Sequence, residues 1–363
     1  MKTIVLKFGG SSFSDTKDYR RIAQHLAERK AAEGSKILVV VSAMYGTTNK
    51  LEAAMREVNQ EAPPSNRDSA VATGEMLSGC LLEAAVSRLR LSVTSLNGYT
   101  LGIRTNSDFG RASIESVNPT PVANALQEHD IVIAAGGQAI ERSGKLTFLG
   151  RNSSDLTAVA LASTLDIDTC EIYSDVPGVY TADPYIVQGA KLIPEICYST
   201  IAQMSRHGAK VLHYRAVDYA EKHNITIFCK SLTNGRAVTG TAITERGKAG
   251  TVTVARDIAA LLMASPEERD VLSGVLNRDD INAFCIDENE GPYLCIMTDI
   301  DFAMQLIART GINPVSVVSK AAVTELCDTT LRLYLDDDYE RAITRARRIH
   351  ERLYPGKAGD CLD

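Results

Sequence analysis

Lys7 stands at the end of the apolar run Thr3-Ile4-Val5-Leu6 and is followed by Gly9, Gly10, Ser11 and Ser12. The run reads as a buried strand. Two glycines after a strand let the backbone take positive φ and approach a bound group closely. A series of free N–H groups there can cradle an anion, with Lys7 as a fixed cation beside it. The helical pattern beginning near Asp15 points its positive end at the same place. These features suit a phosphate at the carboxyl end of a strand, where open α/β sheets take ligands. A glycine pair in that position also serves as a plain tight turn. A second cluster, Gly150-Arg151-Asn152-Ser153-Ser154-Asp155, opens a helix expected over 155–165. Ser and Asp are good N-caps, but capping does not account for an arginine, two serines and an aspartate in one turn. That set suits an anionic substrate together with a metal. Glu75 follows Gly74 inside a helical stretch, where a solvated helix charge is the plain reading.

Strands alternating with helices must position these groups. Lys36–Val41 is a second buried strand and runs into Ser42-Ala43-Met44-Tyr45-Gly46-Thr47-Thr48-Asn49, small and hydroxyl residues ahead of another helix. Residues 62–65 read as a loop, 68–89 as a long helix, 91–96 as a strand and 100–116 as a polar segment. A short helix follows Pro119, and strand 130–135 ends in Gly136-Gly137. A hairpin turning at Ser143-Gly144 leads to the arginine cluster. Strand 169–173 ends in a turn-rich, acidic segment, Ser174 to Pro184. A helix near 199–206, another beginning at 209–213 and a strand at 225–228 complete the series. This alternation implies an α/β fold whose mostly parallel sheet is covered on both faces.

Residues 236–250, rich in Gly, Thr, Arg and Lys, read as a linker between a domain at 1–235 and a smaller one at 251–363. In the latter the expected order is strand 251–264, helix 266–275, strands 281–287 and 292–298, helix 300–310, strands 312–318 and 330–335, and helix 338–353. The arginines of that last helix read as a solvated basic face.

Composition narrows the classes. The 363 residues carry a net charge of −6 with 45% hydrophobic and 23% charged residues, ordinary for a globular protein. A basic face expected of a nucleic-acid binder is absent. No apolar stretch approaches the roughly 18 residues that span a bilayer, and the first residues lack signal-peptide character, so the expectation is a cytoplasmic protein with no membrane partner. The eight cysteines form no Cys-x-x-Cys pair, which argues against zinc and a disulfide framework.

Over residues 1–235 the sequence resembles the aspartokinase branch of the amino acid kinase family. Six segments carry the likeness, in family order. They are Lys7–Ser12 (KFGG-[ST]-S), Val41–Ala43 with Gly46–Asn49, Gly74-Glu75, Gly150–Asp155 (GRGGSD), Ser174–Pro184 (TDVDGVYTADP) and Gly208–His213 (GAKVLH). The resemblance implies a three-layer αβα kinase fold, ATP with Mg²⁺, and phosphorylation of an amino acid carboxylate, with L-aspartate as acceptor. It implies catalytic roles for Lys7 and Asp155. Gly9, Gly10 and Ser11 would touch phosphates, and Ser174, Asp175, Tyr180 and Lys210 would hold the rest of the nucleotide. Ser42, Ala43, Thr48, Glu75, Arg151 and Ser154 would hold the amino acid. The C-terminal region resembles an ACT regulatory module (βαββαβ) with an extra strand and helix, and a homodimer through it is expected.

Departures from the family pattern cluster at the acceptor pocket. Asn152 and Ser153 replace two glycines, and Gly137 stands where an aromatic wall is usual, which opens space. Tyr214 replaces a proline, and Tyr185 an arginine. These changes leave two alternatives to aspartate phosphorylation, a kinase retuned to another acid and a non-catalytic regulatory binder.

Overall fold

The computed structural model describes residues 2–209, 211–233, 236–327 and 330–355, which form two compact units. The first takes the chain up to Val179, then Pro194–Tyr198 and Leu212–Arg246. The second takes Tyr180–Ile193, Ser199–Val211 and the chain from Gly247 onward.

The chain begins with β1 (Thr3–Phe8), α1 (Thr16–Glu33), β2 (Lys36–Val41), α2 (Thr47–Val58) and α3 (Pro64–Ser87). It continues through β3 (Val93–Leu96), β4 (Ile103–Thr105), β5 (Ile114–Val117), α4 (Thr120–Glu128), β6 (Ile131–Ala135), β7 (Gln138–Ile140) and β8 (Leu146–Phe148). Next come α5 (Ser154–Thr164), β9 (Thr169–Ser174), β10 (Glu195–Cys197), α6 (Tyr198–Arg206), α7 (Tyr214–His223), β11 (Thr226–Thr233) and β12 (Arg236–Thr244). Eight strands form the main sheet in the order β10-β12-β11-β9-β1-β2-β6-β3, and β5-β4-β7-β8 form a small second sheet. From β11 to β3 the main sheet is parallel throughout. Its central strands are largely apolar because both faces are covered, with Lys7 of β1 and Glu171 of β9 among the charged exceptions. Ile4, Leu6, Phe8, Ile37, Val39 and Val41 pack with Tyr19, Ile22 and Leu26 of α1 and Leu82 and Val86 of α3. The alternate residues face α5, whose Ser154–Ala162 are all buried.

The second unit adds β13 (Thr251–Leu262), α8 (Pro266–Arg278), β14 (Ala283–Glu288), β15 (Gly291–Ile296), α9 (Ile300–Thr310), β16 (Ser316–Cys327), β17 (Thr330–Asp336) and α10 (Tyr339–Leu353). Its antiparallel sheet has the order β14-β15-β13-β16-β17. Leu261, Leu272, Leu276, Leu294 and Ile307 form one core beneath α8 and α9. Val252, Val323, Ala342, Ala346 and Ile349 form another beneath α10, and Ala182 and Val187 join it from the earlier segment.

Several expectations change. The stretch 236–250 is not a linker over its first nine residues, because β12 pairs antiparallel with β11. Gly240 marks close approach of backbone, not flexibility, since a Cβ there would lie 2.2 Å from the Pro177 carbonyl oxygen. Helix α3 begins at Pro64, which fits N1 because its fixed φ is helical and its missing N–H would have no partner there. The polar segment 100–116 contains β4 and the first three residues of β5. The strand expected at 312–318 starts at Ser316 and runs to Cys327. Helix α7 starts at Tyr214, with His213 as its extended N-cap.

Candidate active site

Alternation along β1 sends Leu6 and Phe8 into the core beneath α1 and α3, and Lys7 to the opposite face. There its Nζ lies 2.6 Å from Oδ1 of Asp155, in the first turn of α5. Both residues are buried, 8% and 4% exposed. The other carboxylate oxygen, Oδ2, accepts a hydrogen bond from the His213 N–H at 3.1 Å. A cation and a carboxylate from positions far apart in sequence thus share one desolvated site.

The glycines after β1 act differently from expectation. Gly9 has φ −71°, and Gly10 lies in a single 3-10 turn, so neither uses the left-handed region. What they supply is room. A Cβ on Gly9 would sit 3.3 Å from Lys7 Nζ, and one on Gly10 would sit 3.1 Å from the Ala43 carbonyl oxygen. The N–H groups of Gly9, Ser12 and Phe13 already donate to the carbonyls of Tyr173, Gly9 and Gly10. The start of α1 carries its own carboxylates, Asp15 and Asp18, in a capping box, which cancels its value as an anion site.

Backbone hydrogen bonds from Ser42 to Phe8, Tyr45 to Phe13 and Gly136 to Val41 tie the loops at the carboxyl ends of β1, β2 and β6 together. Gly74 lets α3 approach this region, since a Cβ there would be 3.0 Å from Ala43 Cβ and 3.3 Å from Thr47 Cγ2. Glu75 is therefore turned inward and buried, not solvated as its helix position suggested. Its Oε1 accepts from the Ala43 N–H at 3.3 Å. Its Oε2 is buried with no hydrogen-bond partner among the described residues, and burial pushes its pKa up to about 7. A buried carboxylate oxygen without a donor fits a cationic ligand group. Thr48 lies in the first turn of α2. Ser154 opens α5 and is packed so closely on Gly136 that a Cβ there would lie 2.6 Å from Ser154 Oγ.

The loop before α5 accommodates its two added side chains. Asn152 takes φ 61° and Gly150 takes φ 108°, and asparagine is among the few non-glycine residues that enter the left-handed region readily. Ser153 Oγ donates to the Gly150 carbonyl. Arg151 is exposed and held by Glu52 and Asn49 of α2. The space expected at Gly137 is filled. A Cβ there would meet Ser153 Oγ at 3.0 Å and Phe148 Cε2 at 3.2 Å, so the Phe148 ring supplies an aromatic wall from β8. Gln138 is fully engaged, accepting from Gly98 N–H and donating to the Ala72 carbonyl.

Among the residues expected to hold nucleotide, Ser174 closes β9 and donates to the Val176 carbonyl at 2.8 Å, and Asp175 is exposed beside it. Gly9 N–H binds the Tyr173 carbonyl, so this strand end adjoins the glycine turn. Tyr180 belongs to the second unit, where it bridges Leu192. Lys210 lies outside the described residues.

Sequence reasoning missed Phe148, Glu52, Arg111 and Asp68. Asp68 precedes Glu75 by two helical turns, which puts both on one face of α3. Its Oδ2 accepts from Gly110 and Phe148 N–H groups, and burial raises its pKa to about 6. A cavity of about 570 Å³, lined by Lys2, Lys36, Asp166 and Asp168 among others, opens at the amino ends of β1, β2 and β9. That is the wrong end of the sheet for the Lys7 and Asp155 chemistry.

Comparison with known proteins gives the family and the fold. The family model described as "Amino acid kinase family" matches residues 2–231. An aspartokinase of Mycolicibacterium smegmatis is 40% identical over 232 residues, 64% of this chain and 55% of the relative. The chain thus spans about half the length of that relative. An aspartokinase of Geobacillus stearothermophilus is 31% identical over 338 residues, 93% of this chain and 77% of the relative. Among solved structures, E. coli aspartokinase III in complex with aspartate and ADP superposes with a TM-score of 0.75 at 23% identity, covering 98% of this chain and 100% of that one. At that identity the likeness speaks to the fold.

Proposed function

Since the chain belongs to the amino acid kinase family, on its aspartokinase branch, we propose that it transfers the γ-phosphoryl group of ATP to the side-chain carboxylate of L-aspartate, giving 4-phospho-L-aspartate. The observation that carries this reading is the buried Lys7–Asp155 ion pair at the same end of the sheet as Glu75, whose Oε2 lacks a partner.

A carboxylate acceptor, with a pKa near 4, is already ionised at neutral pH and attacks without a general base. What remains is to hold two anions in line and to neutralise the charge of the transferred group. Lys7, held by Asp155, stabilises the migrating phosphoryl group. Gly9, Gly10 and Ser11 line the phosphates, and Ser174, Asp175, Tyr180 and Lys210 hold the remainder of the nucleotide. Glu75 takes the α-ammonium group beside Ser42, Ala43, Thr48 and Ser154. Arg151 exchanges Glu52 for the α-carboxylate, which its guanidinium can grip with two hydrogen bonds. Among the described residues no three His, Cys, Asp or Glu side chains converge on a metal-sized site. Mg²⁺ would then be carried by the nucleotide phosphates, with Asp155 helping to organise it from the protein side, and would supply charge neutralisation. The same reading includes a homodimer through the C-terminal module and a cytoplasmic setting. No helix among the described residues is long and apolar enough to cross a membrane.

The test is hydroxamate trapping of the acyl phosphate with ATP and L-aspartate. Turnover is expected, and Lys7→Ala should lower kcat on the order of 10²- to 10³-fold. Turnover with another acid but none with aspartate would overturn the acceptor. Equal inactivity of wild type and Lys7→Ala across acceptors would make the chain a binding module.

A further inference from the structure

We propose that Tyr214 and Arg111 form a positioning pair that holds the backbone of His213 on Asp155, an inference that rests on the kinase reading above. Asp155 presents Oδ1 to Lys7 while its other oxygen accepts from the His213 N–H at 3.1 Å, a contact that fixes the turn of the carboxylate. His213 is the N-cap of α7, with φ −72° and ψ 119°, so its conformation lies outside the helical ladder. A proline at the next position would restrain this junction covalently, since its ring fixes φ at the first helical residue. Tyr214 cannot do so through its backbone.

Its side chain does the equivalent. Tyr214 is buried, 4% exposed, and its hydroxyl accepts a hydrogen bond from Arg111 Nη2 at 2.5 Å. Arg111 is itself buried, 5% exposed. The Tyr214 ring stacks on the His213 imidazole with centroids 5.3 Å apart and planes 21° apart. Arg111 and His213 both border the turn before α5, their Cγ and Nε2 lying 3.9 and 4.0 Å from where a Gly150 Cβ would be. The phenol is thus anchored at its hydroxyl by a buried cation and lies flat against the residue whose N–H orients Asp155. A charge-assisted hydrogen bond is among the stronger ones available for this purpose.

The experiment compares wild type, Tyr214→Phe and Tyr214→Pro as full chains. Tyr214→Phe removes one oxygen and should lower kcat about tenfold, the loss of a single good hydrogen bond, with KM for ATP and aspartate within about twofold. Tyr214→Pro should keep kcat within about threefold of wild type, because His213 already has the extended conformation required before proline. Amide exchange at His213, read by mass spectrometry, should be about tenfold faster in Tyr214→Phe. Unchanged kcat and exchange in Tyr214→Phe would overturn the proposal, whatever the proline variant does. So would a proline variant that melts like wild type yet is as slow as Tyr214→Phe. If the proline variant does not fold, the kcat and KM values of Tyr214→Phe decide. If the wild type turns over no acceptor while His213 exchange responds as stated, the kinase reading fails and the positioning pair stands.

Discussion

At the scale of single residues, Glu75 connects burial to function most directly. Its folded pKa of about 7 lies above the ordinary 4.5, so the protonated form is favoured below about pH 7. The stabilising contribution is therefore fully present below about pH 4.5 and is lost as pH rises through 7. The shift corresponds to about 3 kcal/mol. Between pH 4.5 and 8, wild-type stability in urea should fall by roughly that amount relative to Glu75→Gln. Binding runs the other way, because an ammonium group needs the ionised carboxylate. KM for the acceptor should fall as pH rises through 7 in wild type and stay flat in Glu75→Gln. Parallel pH profiles of the two proteins would refute this role. By its helix position Glu75 looked like one more solvated charge; the family resemblance alone placed it at the amino acid, and its burial and unpartnered oxygen were not legible. Lys7 stood out in the sequence as a cation beside two glycines at a strand end, whereas Asp155, at a helix start where a cap is ordinary, took its role from the family resemblance. The aromatic wall was not legible, because the loss at Gly137 and its replacement by Phe148 are visible only once β8 is folded against the turn after β6.

Helix α3 shows how an element delivers such a residue. Val71, Leu77, Leu81, Leu82, Ala85 and Val86 read in the sequence as largely one apolar side, but that pattern did not say that Asp68 and Glu75 are buried with it. Gly74 decides it by letting the helix press against Ala43 and Thr47. Gly74→Val would add methyl groups into contacts already at 3.0 and 3.3 Å. A loss of about 1–3 kcal/mol is expected by chemical denaturation. Acceptor KM should rise more than nucleotide KM, because the displaced turn carries Glu75. Equal effects on both would argue for a general packing defect. Glycines were also where sequence reasoning misplaced the cause. The absence of a Cβ at Gly9, Gly10 and Gly240 was visible, but whether it served torsion, flexibility or close approach depended on neighbours distant in sequence.

At the scale of the whole molecule, the alternation of strands and helices was legible, and so was the order of elements in the C-terminal region. The path between the units was not. Residues 180–193 supply Ala182, Val187, Ile186 and Ala190 to the core beneath α10. Thr181 Oγ1 lies 2.8 Å from His350 Nε2, and Arg347 donates to the Ile186 carbonyl. Ending the chain after Arg246 would strip these residues of their partners, a loss on the order of 5 kcal/mol of apolar burial. The truncated protein should aggregate in size-exclusion chromatography or melt well below the full chain; a wild-type melting curve would contradict this.

The backbone changes unit after Val179, Ile193, Tyr198, Val211 and Arg246. A crossover between homologous genes after Ile193, Tyr198, Val211 or Arg246 would pair a borrowed tail with at least one insert of the wrong parentage, and one after Val179 would instead split the first unit. Exchanging the C-terminal module thus means moving three separate segments together, Tyr180–Ile193, Ser199–Val211 and the chain from Gly247 onward.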